Sequence, residues 1–201
     1  MGEAGGGAPR MAHIVSDHRL PIETRSLLLR QFAPGDAGRL LLLSQEDGAR
    51  TWLPSQVYRD GAHADSALAF LMSQYSTPGD PRRGPYVLGI EHRASSSLIG
   101  HVGFSPLDED VEIGFSIAQS YQGQGFASEA IVAASRWALR VFGIRRILAI
   151  ASTANVASRR TLARAGFVHE GDKTMNFQGT VEEVSVYALP GDSGHDDSAR
   201  T

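Results

Sequence analysis

No cysteine occurs anywhere in the 201 residues of this chain. That absence excludes disulfides, thiolate-bound zinc and any cysteine acyl-enzyme. Nor is there an apolar run long enough to span a bilayer, although 42% of the residues are hydrophobic and only 20% charged, a balance that suits one soluble domain with a full core. The opening stretch, MGEAGGGAPRMAHIVSDHR, is glycine-rich and lacks the apolar centre of a signal peptide, so residues 1–19 are expected to be a flexible arm and the cytoplasm is the default compartment. The polar segment 191–201 reads as a disordered tail, which leaves 20–190 as the folded domain. The histidines are scattered without ligand spacing, so no metal is expected. One more absence is local. Between Glu129 and Glu170 there is no Asp or Glu, whereas Arg136, Arg140, Arg145, Arg146, Arg159, Arg160 and Arg164 all fall in that interval. In a chain of formal net charge -3 such one-sidedness suits a ligand with several phosphates, against the plainer reading of a solvated helix face.

What is present begins with Gln122-Gly123-Gln124-Gly125-Phe126-Ala127, lying between an alternating apolar strand and an amphipathic helix. Backbone N–H groups entering a helix lack intrahelical acceptors, and the helix dipole adds about half a positive charge, so the place suits a phosphate or pyrophosphate. Upstream, Val111, Ile113, Phe115 and Ile117 alternate with Glu112, Gly114 and Ser116, the period of a strand. Downstream, Ala130, Ile131, Ala134, Trp137, Ala138 and Val141 recur at helical spacing until Gly143. The apolar run Ile147 to Ala151 then supplies another strand, so the loop lies at the carboxyl end of the first strand, where ligands of open sheets bind. Gly123-x-Gly125-x-x-Ser128 also half-matches a dinucleotide fingerprint, but the acidic residue that such a site needs about 20 positions on does not exist. A nucleotide-dependent oxidoreductase is therefore nearly excluded.

Elsewhere, Ser26 to Phe32 reads as a first strand, Asp36 as an N-cap before a helix carrying Leu40 to Leu43, and Leu68, Leu71, Met72 and Tyr75 as a second helix. Pro78 to Pro85 is a breaker cluster. Strands are expected over Tyr86–Glu91 and Leu98–Phe104 with Arg93 to Ser97 as their turn, and Pro106 to Asp110 as a link to the strand at Val111. Asn155 caps a helix that Gly166 stops, and Phe167–Phe177 pairs with Val181–Leu189 about a turn at Gln178-Gly179. The sum is an α/β (α+β) fold with a mixed sheet and helices on both faces.

The segment from Val111 to Gly171 resembles the acyl-CoA-binding core of the GNAT N-acetyltransferase superfamily, and within it the Rim-type branch of ribosomal-protein N-terminal acetyltransferases (RimJ/RimL). Gln122-x-x-Gly125-x-Ala127 matches the family's pyrophosphate motif, and Asn155-x-x-Ser158 followed by Ala165-Gly166-Phe167 matches its second block. The likeness extends more loosely from about Thr24 to about Leu189. It implies a largely antiparallel GNAT sheet and acetyl-CoA as cosubstrate. That ligand would be held by Phe115 and Ile117 on the strand, by Gln122, Gly123, Gln124, Gly125, Phe126 and Ala127 in the loop, and by Asn155 and Arg160. The implied partners are acetyl-CoA and an amine acceptor, with no nucleic acid and no membrane, in a monomer or homodimer.

Acetyl transfer to an amine needs a neutral nitrogen, an oxyanion stabiliser and a proton for the leaving thiolate. Deprotonating an α-amine of pKa near 8 costs only about 1 kcal/mol at pH 7, against about 4 to 5 kcal/mol for a lysine amine. Glu112 is the candidate base: it faces away from Val111, Ile113, Phe115 and Ile117, and its same-face neighbours Gly114 and Ser116 are small enough to leave a cavity. The resemblance implies a catalytic glutamate on this strand, acting through water; the alternative is a partly exposed glutamate that only attracts a cationic substrate. His101 shares the Glu112 face if the hairpin closes symmetrically around Asp108. Several family members carry a tyrosine seven positions after the asparagine, but Leu162 stands there, so Ser158 is the remaining hydroxyl for the thiolate. Trp52 and Tyr58 fall where the family lines its acceptor pocket. Glu182 and Glu183 read as edge-strand charge, with a substrate amine as the other option. With no cysteine to carry the acetyl group, the amine attacks the thioester directly in a ternary complex. The acceptor is a protein N-terminus or a small amine; the alternative is a non-catalytic acyl-CoA sensor.

Overall fold

The computed structural model describes residues 20–77 and 79–191. One eight-stranded sheet runs in the order β1 (Ile22–Glu23), β2 (Leu27–Arg30), β3 (Tyr86–His92), β4 (Ser97–Leu107), β5 (Asp110–Ile117), β6 (Arg146–Ser152), β8 (Thr180–Pro190), β7 (Val168–Phe177). Every neighbouring pair is antiparallel except β5 and β6. That exception follows from α4 (Phe126–Phe142), the crossover helix between them, since parallel neighbours need a long connection. The remaining helices are α1 (Ala37–Ser44), α2 (Asp47–Trp52), α3 (Gly61–Ser73) and α5 (Val156–Arg164). No described helix is long and apolar enough to cross a membrane.

Alternation along the strands sorts the core onto two faces. Val111, Ile113 and Ile117 of β5 join Val102, Phe104 and Ile99 of β4 beneath α4, whose Ala130, Ile131, Ala134 and Ala138 are buried against them. Each buried valine, isoleucine or phenylalanine side chain contributes about 1.5–3 kcal/mol, and each alanine methyl about 0.8 kcal/mol. Trp137, Tyr86 and Phe142 close one end of this cluster, with the Tyr86 and Trp137 ring centroids 5.6 Å apart. Leu98 follows the opposite course from its neighbour Ile99 and packs with Phe32, Leu40 and Leu68 under α1 and α3. Helices therefore cover both faces, as the sequence pattern implies.

Several boundaries differ from expectation for identifiable reasons. β4 continues through Pro106 to Leu107, so the turn shrinks to Asp108 and Glu109. β3 ends opposite Phe104; beyond it β4 has a neighbour on one side only, and a residue without an N–H is tolerated there. Asp36 does not cap α1 with its side chain. Its carboxylate instead accepts from the Ala33 N–H at 2.8 Å and from both terminal nitrogens of Arg30, which also reaches Glu91. β1 and α2 have no counterpart in the sequence reading, being 2 and 6 residues long and too short for a periodic signal. β8 lies between β6 and β7, with β7 at the edge of the sheet, but the β6–β8 ladder ends at Ser152–Val184, so Glu182 and Glu183 stand on a stretch of β8 flanked by a strand on one side only. The expected arm over residues 1–19 and Pro78 of the breaker cluster lie outside the described residues, as does the expected tail apart from Gly191.

Two glycines on β4 and β5 make opposite demands. A Cβ on Gly100 would stand 2.0 Å from the Ser116 carbonyl oxygen, whereas one on Gly114 meets nothing within 4 Å. Gly100→Ala is expected to destabilise the fold by at least about 2 kcal/mol through overpacking, and Gly114→Ala by less than about 0.5 kcal/mol. Denaturant midpoints at constant slope measure both, and equal midpoints for the two variants would contradict the packing described here.

Candidate active site

The site arises where β5 and β6 part company. Only Val111–Ile147 and Glu112–Leu148 are paired; past them the strands splay. Ile113 to Ile117 and Ala149 to Ser152 then become opposite walls of a cavity of about 780 Å³. Backbone groups of β5 that face the gap have no ladder partner, so residues such as Phe115 and Ile117 can offer their main chain to an extended amide-bearing ligand. Both residues line the cavity, as expected.

At the mouth of the gap a single 3-10 turn (Gln119–Tyr121) leads into the glycine loop. Gly123 and Gly125 have φ of +75° and +87°, so the left-handed backbone favours glycine at both. A Cβ at either position would meet nothing within 4 Å of the protein; it would project into free space in front of the loop. The backbone N–H groups of residues 123 to 128 make no hydrogen bond to another described residue. A run of orphan donors at a helix start, with open space before them, is a fit for a diphosphate. The Gln122 side chain donates to the Ile117 carbonyl at 2.9 Å and Gln124 to the Ser120 carbonyl at 3.3 Å. These two glutamines brace the loop and leave its backbone free.

Glu129, in the first turn of α4, fixes the helix that bears the loop. Its carboxylate accepts from the Thr24 hydroxyl at 2.6 Å and the Ser26 N–H at 2.7 Å. Burial works against its ionisation, but these hydrogen bonds outweigh that and hold the carboxyl below its ordinary range. A second tether comes from Glu46, whose carboxylate accepts from the Gln119 N–H at 2.7 Å and ties the start of α2 to the loop. Neither tether is visible in sequence, because each joins residues far apart in the chain.

On the other wall, the Asn155 side-chain oxygen accepts from the Ser158 N–H at 3.0 Å and caps α5. Its amide NH₂ remains for a ligand. The Ser158 hydroxyl has no hydrogen-bond partner among the described residues and lines the cavity. Leu162, one turn on, is 1% exposed and belongs to the core beneath α4. Arg160 and Arg164 line the same cavity. Arg159, by contrast, turns away to the Tyr187 hydroxyl and the Thr153 carbonyl.

Glu112 lies at the closed end of the splay. Burial pushes its pKa up from 4.5 to about 7, against a smaller downward pull from Lys173, the one lysine of the chain. Gly114 beside it leaves the trough that the sequence pattern implies. His101 pairs with Ser116 in the hairpin register and so does share the Glu112 face. It lines a separate cavity of about 20 Å³ under Leu53 and Tyr58, and burial lowers its pKa to about 4, so it is neutral near pH 7. Trp52 lines the large cavity, whereas Tyr58 lines only the small one. Glu182 faces the large cavity from β8, opposite the segment that carries Trp52 and Pro54; Glu183 does not line it. The tip of the β7–β8 hairpin meets that segment, with the Ser55 hydroxyl donating to the Gln178 side chain at 2.5 Å.

Comparison with known proteins agrees with this geometry. Residues 26–168 match the acetyltransferase (GNAT) domain family. The N-acetyltransferase YoaA of Bacillus subtilis is 30% identical over 173 residues, covering 84% of this chain and 95% of that protein. The ribosomal protein uS5-alanine N-acetyltransferase of Escherichia coli is 44% identical over 162 residues, covering 76% of this chain and 80% of that protein. The solved structure of RimL, a ribosomal L7/L12 alpha-N-protein acetyltransferase in complex with coenzyme A, shares the fold with a TM-score of 0.70 at 21% identity, over 87% of this chain and 99% of that one. A sheet splayed at β5 and β6, a glycine loop of unpaired donors at the splay and a family match across both identify this chain as a member of the GNAT family, an N-acetyltransferase that moves the acetyl group of acetyl-CoA to an amine.

Proposed function

We propose that the acceptor is the α-amine of a peptide or protein, acetylated by direct attack on the thioester while both substrates are bound, with Glu112 as the base. The observation that carries this reading is Glu112 itself, a carboxylate with a pKa of about 7 at the closed end of the cavity. An ammonium of pKa near 8 passes its proton to such a base at a cost of about 1 kcal/mol, whereas a lysine ammonium near 10.4 costs about 4 to 5 kcal/mol. The uS5-alanine and L7/L12 acetyltransferases, named for α-amino substrates, support the same choice. Acetyl-CoA supplies the activated thioester. Gly123 to Ala127 bind its diphosphate by backbone N–H groups, Phe115 and Ile117 hold its amide-bearing arm along β5, and the Asn155 amide adds a donor. Ser158 donates a hydrogen bond to the sulfur that leaves. Glu182 draws the cationic amine toward Glu112 before the proton moves.

The test is a panel of peptides with free α-amines, α-blocked peptides with a free lysine, and small diamines, scored by free CoA release. Free α-amines are expected to turn over at least about 100-fold faster than lysine amines at pH 7, the rate equivalent of the proton cost. Double-reciprocal plots against the two substrates should intersect. Acetyl-CoA binding with no turnover on any amine would overturn the reading in favour of a sensor.

Glu112→Gln has two expected signatures. The wild-type kcat/KM rises with pH through an apparent pKa of about 7, and the variant loses that limb together with about 10²-fold or more of the rate. Its stability changes as well. A carboxyl whose pKa is raised on folding contributes stability below its unfolded value, and that contribution is lost as pH rises through the folded value. Wild type should therefore lose stability relative to Glu112→Gln between pH 4.5 and about 7. Parallel stability curves for the two proteins would remove the shift, and an unchanged pH–rate profile would remove the base.

Ser158→Ala is expected to lower kcat about 10- to 100-fold, the worth of one hydrogen bond to a charged atom, with little change in acetyl-CoA affinity. Full activity in that variant would leave the leaving sulfur without the assigned donor.

A further inference from the structure

His101 takes no part in the reaction derived above, yet its setting is chemically specific. It stands on β4 directly opposite Ser116 of β5, and side chains paired in this way have Cβ atoms about 4.5–5.5 Å apart on one face. Burial keeps the imidazole neutral near pH 7, so one ring nitrogen donates a hydrogen bond and the other accepts. Neither nitrogen, nor the Ser116 hydroxyl, has a hydrogen-bond partner among the described residues. Polar groups withdrawn from water are costly when unpaired. Ser44, at the same small cavity, shows the contrast: its hydroxyl donates to the Leu41 carbonyl at 2.8 Å and accepts from the Tyr58 N–H at 3.2 Å. Ser44 is satisfied within the protein, whereas His101 and Ser116 are left for a ligand.

The small cavity adjoins the place of reaction. Ala49, Leu53, Gln56 and Ser116 line both it and the large cavity. On β5, Gly114 lies midway between Glu112 and Ser116, two residues or about 6–7 Å from each, and a Cβ there would meet nothing within 4 Å. An amine over Gly114 reaches Glu112 through one water, and the side chain on its α-carbon extends the other way, toward Ser116 and His101. A volume of about 20 Å³ admits one water or a group of that size. A hydroxyl both donates and accepts, which suits a neutral imidazole and a serine hydroxyl together. A methyl group occupies the volume but leaves both partners unpaired, and a branched alkyl chain overfills it. A carboxylate finds no cationic side chain among the described lining residues.

We propose that His101 and Ser116 are specificity-determining residues that read the first side chain of the acceptor and select a hydroxymethyl group, so that a peptide beginning with serine is preferred to the same peptide beginning with alanine or valine. The proposal rests on the α-amine reading above, and its test separates the two. The experiment measures kcat/KM at saturating acetyl-CoA for three peptides that differ only in the first residue, serine, alanine or valine, beside an α-blocked peptide with a free lysine. Wild type should favour serine over alanine about 10-fold, the worth of one or two neutral hydrogen bonds, and over valine about 100-fold. Ser116→Ala, which removes a single oxygen, and His101→Leu should each bring the serine-to-alanine ratio close to one. His101→Gln, which keeps a donor and an acceptor, should retain a preference for serine. Calorimetric titration with acetyl-CoA checks that each variant is folded. A rate loss that is equal for the serine and alanine peptides in both Ser116→Ala and His101→Leu would be a packing effect and overturns the proposal. Equal rates for serine and alanine in wild type also overturn it, with a water alone in the small cavity, and leave the α-amine reading intact. Turnover of the lysine peptide alone overturns both.

Discussion

Everything in this site depends on β5 and β6 being paired over two residues and no more. A parallel pair closed along its full length would satisfy its backbone groups internally and leave no room between Phe115 and Ala151. Opening it exposes main-chain donors and acceptors of β5 in a place that is deep yet reachable, which is costly unless a ligand satisfies them. The sheet withstands the split because each half is held elsewhere. β5 keeps its full antiparallel ladder with β4, and β6 keeps its own with β8 from Arg146 to Ser152. Helix α4 spans the break from below, with Ile131 and Ala134 fully buried against the strands. The split is therefore a feature of the folded sheet itself, and the ligand fills a gap that folding has already made.

Charge is distributed along the gap in a way that suits the reaction. Three carboxylates, Glu46, Glu112 and Glu182, and two guanidinium groups, Arg160 and Arg164, line the cavity. On the proposed reading, a cationic amine meets the thioester where Glu112 is poorly hydrated. The burial that raises the Glu112 pKa is what would match its strength to the proposed role of base; an exposed glutamate near 4.5 would be ionised at pH 7 but too weak to take a proton from an ammonium. The same burial opposes folding once the group is ionised, so stability is given up at the position where chemistry needs it.

The glycine loop, its flanking strand and helix, and the hairpin at Gln178-Gly179 were legible because each writes a local pattern: period 2, then orphan donors, then period 3.6. Glu112 was legible for the same reason, since alternation alone assigns it to a face. His101 reaches that face because the hairpin closes about a point between Asp108 and Glu109 and pairs it with Ser116; closure centred on Asp108 itself would have paired it with Phe115, on the other face. Features made by contacts between distant segments left no such mark. Nothing near Glu129 announces Thr24, and nothing near Glu46 announces the Gln119 N–H, yet these two carboxylates fix the loop from either side. Asp36 shows the limit from the other direction. It has the composition of an N-cap, but Arg30 and the Ala33 N–H compete for its oxygens and win. The short helix α2, which lines part of the large cavity, buries no residue fully and so has no apolar stripe to read.

The leucine at position 162 bears on whether the site is built for turnover. Leu162 is buried in the core beneath α4, so the position contributes packing where several family members place a hydroxyl. Ser158 lies one turn earlier on the same face of α5 and lines the cavity, with its hydroxyl unbonded among the described residues. That turn is also the helix start, where the dipole favours a negative charge. A serine hydroxyl is too weak an acid to surrender its proton to a thiolate whose own pKa is near 8.5, so what it offers is a hydrogen bond that strengthens as charge grows on sulfur. Help of this kind is small in the ground state and larger in the transition state. On the proposed reading, the thiolate donor stands in the first turn of α5, while Leu162 packs in the core and also borders the cavity.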